Sequence, residues 1–326
     1  MKIIIVGAAY PFRGGIAHHT SLLYRELSRK HQVEIVTFTR QYPALLFPGT
    51  TQREAEGTLV SVPSRQMVDS INPFSWLRTG QWVSRRNPDL VIFPYSMPFF
   101  ALCFGTIAAL ARRNKKTKTL FLCHNIIPHE RHFGDMLLTK FAFSFTDYFI
   151  VQSKEVERDL MRVVPNATHA LSPHPVYNMF GSAIPKREAK GKLGITASHI
   201  LLFFGYIRKY KGLHVLLDAM QTVVQDLPDT MLLIVGECYG DEDAYRRQIV
   251  ENRLERVVRF VSHYVPQNEV AAYFSAADAV VLPYLSATQS GIAQIGYNFD
   301  KPIIATDVGG LGEVVVDGKT GFVVPP

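Results

Sequence analysis

The chain has 326 residues, of which 47% are hydrophobic and 19% are charged, and its net charge at pH 7 is +7. This composition excludes long disordered stretches, and a chain of this length normally folds as two domains. Positive charge is concentrated in residues 1–180, with 21 Lys and Arg against 12 Asp and Glu, whereas the remainder has 14 against 16. No arginine-rich tract or basic–aromatic repeat accompanies it, so we expect no nucleic-acid partner. An anionic membrane surface or an anionic acceptor fits this charge better.

The cellular compartment is indicated by the cysteines and by the apolar segments. Cys103, Cys123 and Cys238 lie far apart and form no CxxC pair, which is typical of a reducing compartment and argues against structural zinc. The apolar start at residues 3–6 is too short for a signal peptide, and the run at 97–111 is too short to span a bilayer. These features predict a cytoplasmic protein.

Apolar, β-branched runs alternate with helical intervals along the whole chain. The predicted strands are residues 2–7, 32–37, 90–94, 119–122, 148–151, 199–204, 231–235, 257–261, 279–282 and 303–306. Strands buried on both faces read as continuous apolar runs, so the pattern predicts an α/β protein with two parallel sheets. Prolines and then lysines interrupt it, and we place domain one at 1–180, a linker at 181–192 and domain two at 193–326.

The strongest local signal is the turn that follows the predicted strand at 199–204. It contains Gly205, Arg208, Lys211 and Gly212, and a helical pattern follows it. Glycines allow close backbone approach, arginine can donate two hydrogen bonds to phosphate, and lysine adds a point charge. The turn therefore predicts a phosphate site at the carboxyl end of a strand, with a solvated basic turn as the alternative.

A second glycine turn, at residues 7–17, ends in Gly14-Gly15 before a helix predicted at 18–28. Its spacing is not that of G-x-G-x-x-G, and Pro11 interrupts it. No acidic residue ends the strand at 32–37. A nicotinamide-dependent dehydrogenase is therefore disfavoured. The adjacent His18 and His19 point in different directions on a helix, which makes a metal pair improbable.

With these turns, the chain resembles the retaining glycosyltransferases of family four (glycosyl transferases group 1). The resemblance covers nearly the whole chain. It depends on Gly14-Gly15, His124-Asn125, Val151-Gln152-Ser153, the 205–212 turn, residues 232–236, Ala276-Ala277-Asp278 and the tail at 301–325. The family fold is GT-B, in which two Rossmann-like domains face a cleft. Its members continue with further helices beyond the position of Pro326, so we expect the C-terminal domain here to lack its last helices.

The resemblance implies that the N-terminal domain binds the acceptor and the C-terminal domain binds a nucleotide-diphosphate sugar. The implied reaction moves the sugar, with retained configuration, to a saccharide or lipid-linked saccharide in cell-surface polysaccharide or glycolipid synthesis. It needs no metal and no cofactor, because two cations can stabilise the charge of the diphosphate. The implied location is cytoplasmic, peripheral at the inner face of the membrane.

The resemblance also assigns residues to the site. The donor diphosphate contacts Gly15, Arg208, Lys211, Ser290, Gly291 and Ile292; the base and ribose contact Gly236, Tyr264, Val265, Gln289 and Gln294. His124 is the catalytic candidate, because a histidine at a strand's carboxyl end faces the site; a satisfied structural histidine is the alternative. On the acceptor side lie His129 and Arg131, for which a solvated surface is equally compatible.

The chain departs from the family pattern at two places. Tyr206 occupies the usual position of the arginine, and Arg208 follows two residues later. The usual pair of glutamates is absent from residues 286–295, where Gln289 or Gln294 would act as an uncharged replacement. A non-catalytic relative that binds a nucleotide sugar or a glycan is therefore the second hypothesis.

Overall fold

The computed structural model of the chain describes residues 1–47, 49, 51–54, 61–128 and 132–326. These residues form two compact units, the first ending at Pro173 and the second running His174–Pro326. Residues 186–193, most of which the sequence analysis placed in a linker, form a helix of the second unit. That helix packs against a later helix, Gln267–Ala276.

The first unit is built on a parallel sheet of seven strands within the described residues. They are β1 (Lys2–Val6), β2 (Gln32–Arg40), β3 (Arg65–Asp69), β4 (Leu90–Tyr95), β5 (Lys118–Cys123), β6 (Tyr148–Val151) and β7 (His169–Leu171), in the order β3-β2-β1-β4-β5-β6-β7. Along β1, Ile3 and Ile5 pack in one core cluster while Ile4 and Val6 pack in another. Both faces of the sheet are therefore buried.

Helices cover this sheet. They are α1 (Gly15–Leu27), α2 (Pro73–Arg86), α3 (Ala101–Ala111), α4 (Asp135–Phe143) and α5 (Lys154–Val163). The start of α2 is set by Asn72, whose side chain accepts a hydrogen bond from the Phe74 amide at 3.0 Å, and its end by Asn87 in the left-handed conformation. α3 is buried along most of its length, which makes the apolar run at 97–111 part of the core.

The second unit has a parallel sheet of six strands. They are β8 (His199–Phe204), β9 (Thr230–Val235), β10 (Val258–Val261), β11 (Ala279–Leu282), β12 (Ile303–Thr306) and β13 (Gly321–Val324), in the order β10-β9-β8-β11-β12-β13. Its helices are α6 (Lys186–Leu193), α7 (Leu213–Asp226), α8 (Glu242–Glu251), α9 (Gln267–Ala276), α10 (Gly291–Asn298) and α11 (Leu311–Val314).

Both sheets have the doubly wound order of a Rossmann fold, so the predicted fold class is confirmed. The ten predicted strands are all present, but β3, β7 and β13 were not predicted. These three lie at sheet edges and are partly exposed. A search for continuous apolar runs detects strands buried on both faces, and edge strands do not need such runs.

The strand order also locates the ligand-binding edge of each sheet. In the second unit the order reverses between β8 and β11, so the loops that follow these two strands diverge there. Open α/β sheets bind ligands in the crevice at such a switch point, at the carboxyl ends of the strands. The loop at 205–212 begins at this position.

Candidate active site

The loop after β8 is held against the loop after β9 by two glycines. Gly205 has φ +100° and Gly236 has φ +143°, values that favour glycine. A β-carbon at Gly236 would lie 2.1 Å from the Gly205 carbonyl oxygen, so the two backbones touch. The Ile207 amide also donates to the Glu237 carbonyl at 2.9 Å. The shape of the turn at residues 205–212, which we call the phosphate turn after its predicted ligand, therefore depends on the neighbouring loop as well as on its own sequence.

The same turn is fixed on its other side by the loop after β11. Gly212 has φ +66°, and a β-carbon there would lie 1.8 Å from the Pro283 carbonyl oxygen. The Leu285 amide donates to the Tyr210 carbonyl at 2.7 Å. Three loops thus meet at the switch point of the second sheet.

Gly212→Ala is expected to destabilise the protein by about 3 kcal/mol, because the left-handed backbone and the contact with Pro283 both oppose a β-carbon. Urea denaturation followed by circular dichroism measures this loss. Gly194→Ala is the matched control: Gly194 has φ +62°, but a β-carbon there would meet no atom within 4 Å. We expect about 1 kcal/mol for the control. Equal losses for the two variants would show that the Pro283 contact does not matter.

Lys211 belongs to this turn, and it is only 9% exposed. Its Nζ atom is 5.4 Å from the centroid of the Tyr284 ring and would be 3.4 Å from a β-carbon at Gly205. Burial lowers the pKa of the Lys211 ammonium; Tyr210 opposes this shift, and the charge of Arg208 adds to it. Because burial destabilises the charged form of Lys211, a bound anion would stabilise that form strongly.

Arg208 is half-buried and rests on an aromatic pair. Its guanidinium carbon is 5.4 Å from the centroid of the Tyr239 ring, and Tyr239 stacks on Tyr206 with centroids 4.8 Å apart. The Tyr239 hydroxyl donates to Glu237 Oε2 at 3.2 Å. Tyr206, which occupies the usual place of the family's arginine, thus supports the side chain that holds Arg208.

Neither cation has a counter-charge in the part of the chain that the structure describes. Ion pairs between described residues include neither Arg208 nor Lys211. Arg208 lies over the Tyr239 ring and Lys211 over the Tyr284 ring, and the charge of Arg208 lowers the pKa of Lys211. Two partly desolvated cations without an acidic partner are unfavourable unless an anion binds. The arrangement is therefore suited to a diphosphate.

The first turn of α10 lies against the same loop. Ile292 Cδ1 would be 3.1 Å from a β-carbon at Gly205, and Ser290, the residue before the helix, is buried. A β-carbon at Gly291 would lie 3.2 Å from Tyr177 Cε2. The helix N-terminus, where amides can bind an anion, is thus next to Lys211.

The structure also locates the residues predicted for the base and ribose. Tyr264 and Val265 lie in the loop after β10, which is two strands from β8 in the sheet. Gln289 is half-buried before α10, and Gln294 is buried within it. Gly236 packs against Gly205 of the turn, and the assignments of the other four residues stay predictions.

In the first unit, α1 begins at Gly15, three residues earlier than predicted, after Gly14 with φ +107°. A β-carbon at Gly15 would meet no atom of the described residues within 4 Å. The segment at 52–54 borders this turn: the Arg13 amide donates to the Gln52 carbonyl at 3.1 Å. His18 Nε2 lies 2.9 Å from Glu54 Oε1 on the same side.

His124 follows β5 directly and is 6% exposed. Its amide donates to the Tyr95 carbonyl at 2.8 Å, and its ring meets the His19 ring edge-on, with centroids 4.7 Å apart. His19 Nε2 in turn lies 3.1 Å from Gln152 Nε2. His18 and His19 therefore contact different side chains, Glu54 and Gln152.

His19 and Gln152 are not among the site residues predicted from the sequence. Gln152 follows β6, the neighbour of β5, so the argument that selected His124 at a strand end also applies to it. His129 and Arg131, predicted for the acceptor side, lie outside the described residues. Within the described ranges, no three His, Cys, Asp or Glu side chains are grouped as a metal site would require. None of the described helices has the length and hydropathy to cross a bilayer.

Comparison with known proteins assigns the family. The sequence profile described as "Glycosyltransferase Family 4" matches residues 13–175, and that described as "Glycosyl transferases group 1" matches residues 198–326. The chain belongs to this family of group 1 glycosyltransferases, which confirms the predicted resemblance and the predicted class of enzyme.

Individual relatives agree with this assignment. The D-inositol 3-phosphate glycosyltransferase of Corynebacterium aurimucosum is 31% identical over 189 residues, which are 55% of this chain and 45% of that protein. The chain spans about half the length of the curated relatives it matches. Sucrose-phosphate synthase from Thermosynechococcus elongatus superimposes with a TM-score of 0.74 at 21% identity, covering 100% of this chain and 86% of that one. Anabaena HepE in complex with UDP-glucose gives 0.74 at 17% identity, with the same coverage. These two likenesses establish the GT-B fold.

Proposed function

We propose that the protein transfers a sugar from a nucleotide-diphosphate sugar to a saccharide or lipid-linked saccharide, with retention of configuration. The observation that carries this proposal is the pair Arg208 and Lys211, partly buried at the switch point and without an ion pair to any acidic residue that the structure describes. A diphosphate is the anion whose size and charge match two cations beside a helix N-terminus. HepE, whose structure contains UDP-glucose, makes UDP-sugars the first donors to test.

In this reaction Arg208 and Lys211 bind the diphosphate and stabilise the charge that grows on it as the sugar leaves. The amides of Gly291 and Ile292 add hydrogen bonds to the same oxygens. Because these groups supply positive charge, the reaction needs no metal and no cofactor. The leaving phosphate oxygen accepts the proton of the acceptor hydroxyl, so His124 orients and stabilises rather than removing that proton.

Further parts of the proposal concern the acceptor and the location. We assign the acceptor to the first unit, which contains His124 and carries the basic charge of the chain. The product belongs to cell-surface polysaccharide or glycolipid synthesis. The protein acts in the cytoplasm, peripheral at the inner face of the membrane.

A nucleotide-sugar screen tests the donor assignment. UDP-glucose, UDP-galactose, ADP-glucose and GDP-mannose are added separately, and the thermal midpoint is followed. One of them at about 100 times its Kd stabilises the protein by about 2.7 kcal/mol, which raises the midpoint of a chain of this length by about 4 °C. No shift with any nucleotide sugar contradicts the proposal.

The second hypothesis, a non-catalytic relative, is motivated by the absent glutamate pair at residues 286–295. It predicts the same thermal shift but no release of nucleotide diphosphate with any saccharide or lipid-linked acceptor. Transfer that survives EDTA and gives a product of unchanged anomeric configuration, read by NMR, supports the enzyme. Loss of transfer in EDTA contradicts the metal-independent reaction.

A further inference from the structure

The first unit has a groove of about 360 Å³ between β3 and the C-terminal half of α2. Its lining includes Arg65 and Gln66 of β3 and Arg78, Gln81, Trp82 and Arg85 of α2. None of its lining residues is acidic. We call it the β3–α2 groove.

The three arginines of the groove are exposed and have no counter-charge among the described residues. No ion pair there involves Arg65, Arg78 or Arg85. The guanidinium of Arg65 lies over the Trp82 ring, 5.5 Å from its centroid. Several exposed arginines on other helices are paired, as in Arg246–Glu242 at 2.7 Å, whereas Arg187 of α6 is exposed and has no ion pair with a described residue. Three unpaired arginines around one groove, in the more basic part of the chain, indicate an anionic partner.

The outward face of α2 adds exposed apolar side chains to these charges. Phe74 is 81% exposed and Leu77 is 44% exposed. Positions 74, 77, 78, 81 and 85 have the spacing of one helix face, so the two apolar side chains continue into Arg78 and Arg85. Large apolar residues beside arginines, on a face that no described element covers, are typical of a helix that lies on a lipid surface.

The groove is separate from the candidate active site. It is lined by the first residues of β3 and by the last turns of α2. Because α2 runs back from the carboxyl end of β3 toward its start, the groove lies near the amino end of β3. His124 lies at the carboxyl ends of the strands. A ligand in the groove would therefore leave the site edge of this sheet open.

We propose that the β3–α2 groove and the outward face of α2 dock on an anionic phospholipid surface. The arginines bind lipid phosphates, while Phe74 and Leu77 insert among the acyl chains at the interface. This inference rests on the membrane association in the proposed function. Its test measures binding without sugar transfer, so either can fail alone.

The test compares cosedimentation with vesicles of phosphatidylcholine alone and with vesicles that also contain phosphatidylglycerol. We expect binding only to the anionic vesicles, and its loss at high salt. The triple variant Arg65→Gln, Arg78→Gln, Arg85→Gln is expected to bind about 100-fold more weakly. The double variant Phe74→Ser, Leu77→Ser is expected to bind about 10-fold more weakly. These side chains are exposed, so the thermal midpoint should stay unchanged.

The matched control removes three charges elsewhere: Arg187→Gln, Lys192→Gln, Lys319→Gln, all exposed in the second unit. We expect it to bind within about 2-fold of the wild type. An equal loss in both triple variants would mean general charge attraction and would overturn the proposal. A second result would also overturn the proposal: the triple arginine variant loses binding to heparin, and the double variant Phe74→Ser, Leu77→Ser keeps its binding to vesicles. The partner would then be a soluble polyanion.

Discussion

Replacing both Arg208 and Lys211 by alanine is expected to weaken donor binding by about three orders of magnitude. Each side chain supplies a charge-assisted hydrogen bond in a partly desolvated site, and each such bond contributes about 1.5–3 kcal/mol. Their supports, Tyr239 and Tyr284, hold the cations in place before the donor arrives, so little ordering opposes binding. Titration calorimetry with the nucleotide sugar found in the screen measures the loss.

Lys209→Ala is the control for this pair. Lys209 belongs to the same turn but is exposed, so its removal should change the donor Kd by about 2-fold at most. Wild-type donor affinity in the double variant would refute the assignment of the phosphate site.

The same pair predicts a pH dependence. Burial lowers the pKa of Lys211 in the free protein, so the ammonium loses its proton below its ordinary value of 10.5. The charged form binds the diphosphate, and donor affinity should therefore fall as the pH rises through this lowered pKa. Arg208 stays charged over this range, so Arg208→Ala should keep the fall. Lys211→Met should remove it.

His124→Ala is expected to lower kcat by about 100-fold while the donor Kd changes by about 3-fold or less. Removing one preorganised group beside the reacting atoms typically has an effect of this size. All residues assigned to the donor phosphates except Gly15 belong to the second unit, whereas His124 follows β5 of the first. Steady-state kinetics of nucleotide release, together with calorimetry, separate the two effects.

A buried histidine also contributes to packing, so a control is needed. His169→Asn removes a half-buried histidine of β7 that is bonded to Glu157 at 2.8 Å, at the amino end of its strand. We expect this variant to keep full activity. If His124→Ala keeps kcat as well, the histidine is structural and its catalytic assignment is wrong. Equal thermal midpoints of the variants would show that a fall in kcat is not caused by unfolding.

The sequence predicted the core of the fold better than its edges. Residues 199–204 and 231–235 were identified as strands because burial on both faces demands continuous apolar runs. β7 has three residues, two of them exposed, and offers no such run. The start of α1 was placed late because a helix that begins with glycines lacks the usual capping side chain.

The geometry of the candidate site was predicted only in part for a similar reason. Arg208 and Lys211 were found because a basic, glycine-containing turn after a strand is a local pattern. Tyr239 belongs to the loop after β9 and Tyr284 to the loop after β11, and no local pattern connects either with Arg208 or Lys211. His19 was missed because its contact with His124 joins residues more than a hundred positions apart.

By itself, then, the sequence determined the two parallel sheets and the basic, glycine-containing turn after β8, because burial and backbone freedom are imposed residue by residue. Only the tertiary structure decided how the cations of that turn are held and which arginines lack a counter-charge. Strand order brings the loops after β8, β9 and β11 together and leaves the β3–α2 groove open at a sheet edge. These contacts depend on which strands become neighbours, and the pattern within any one segment does not contain that information.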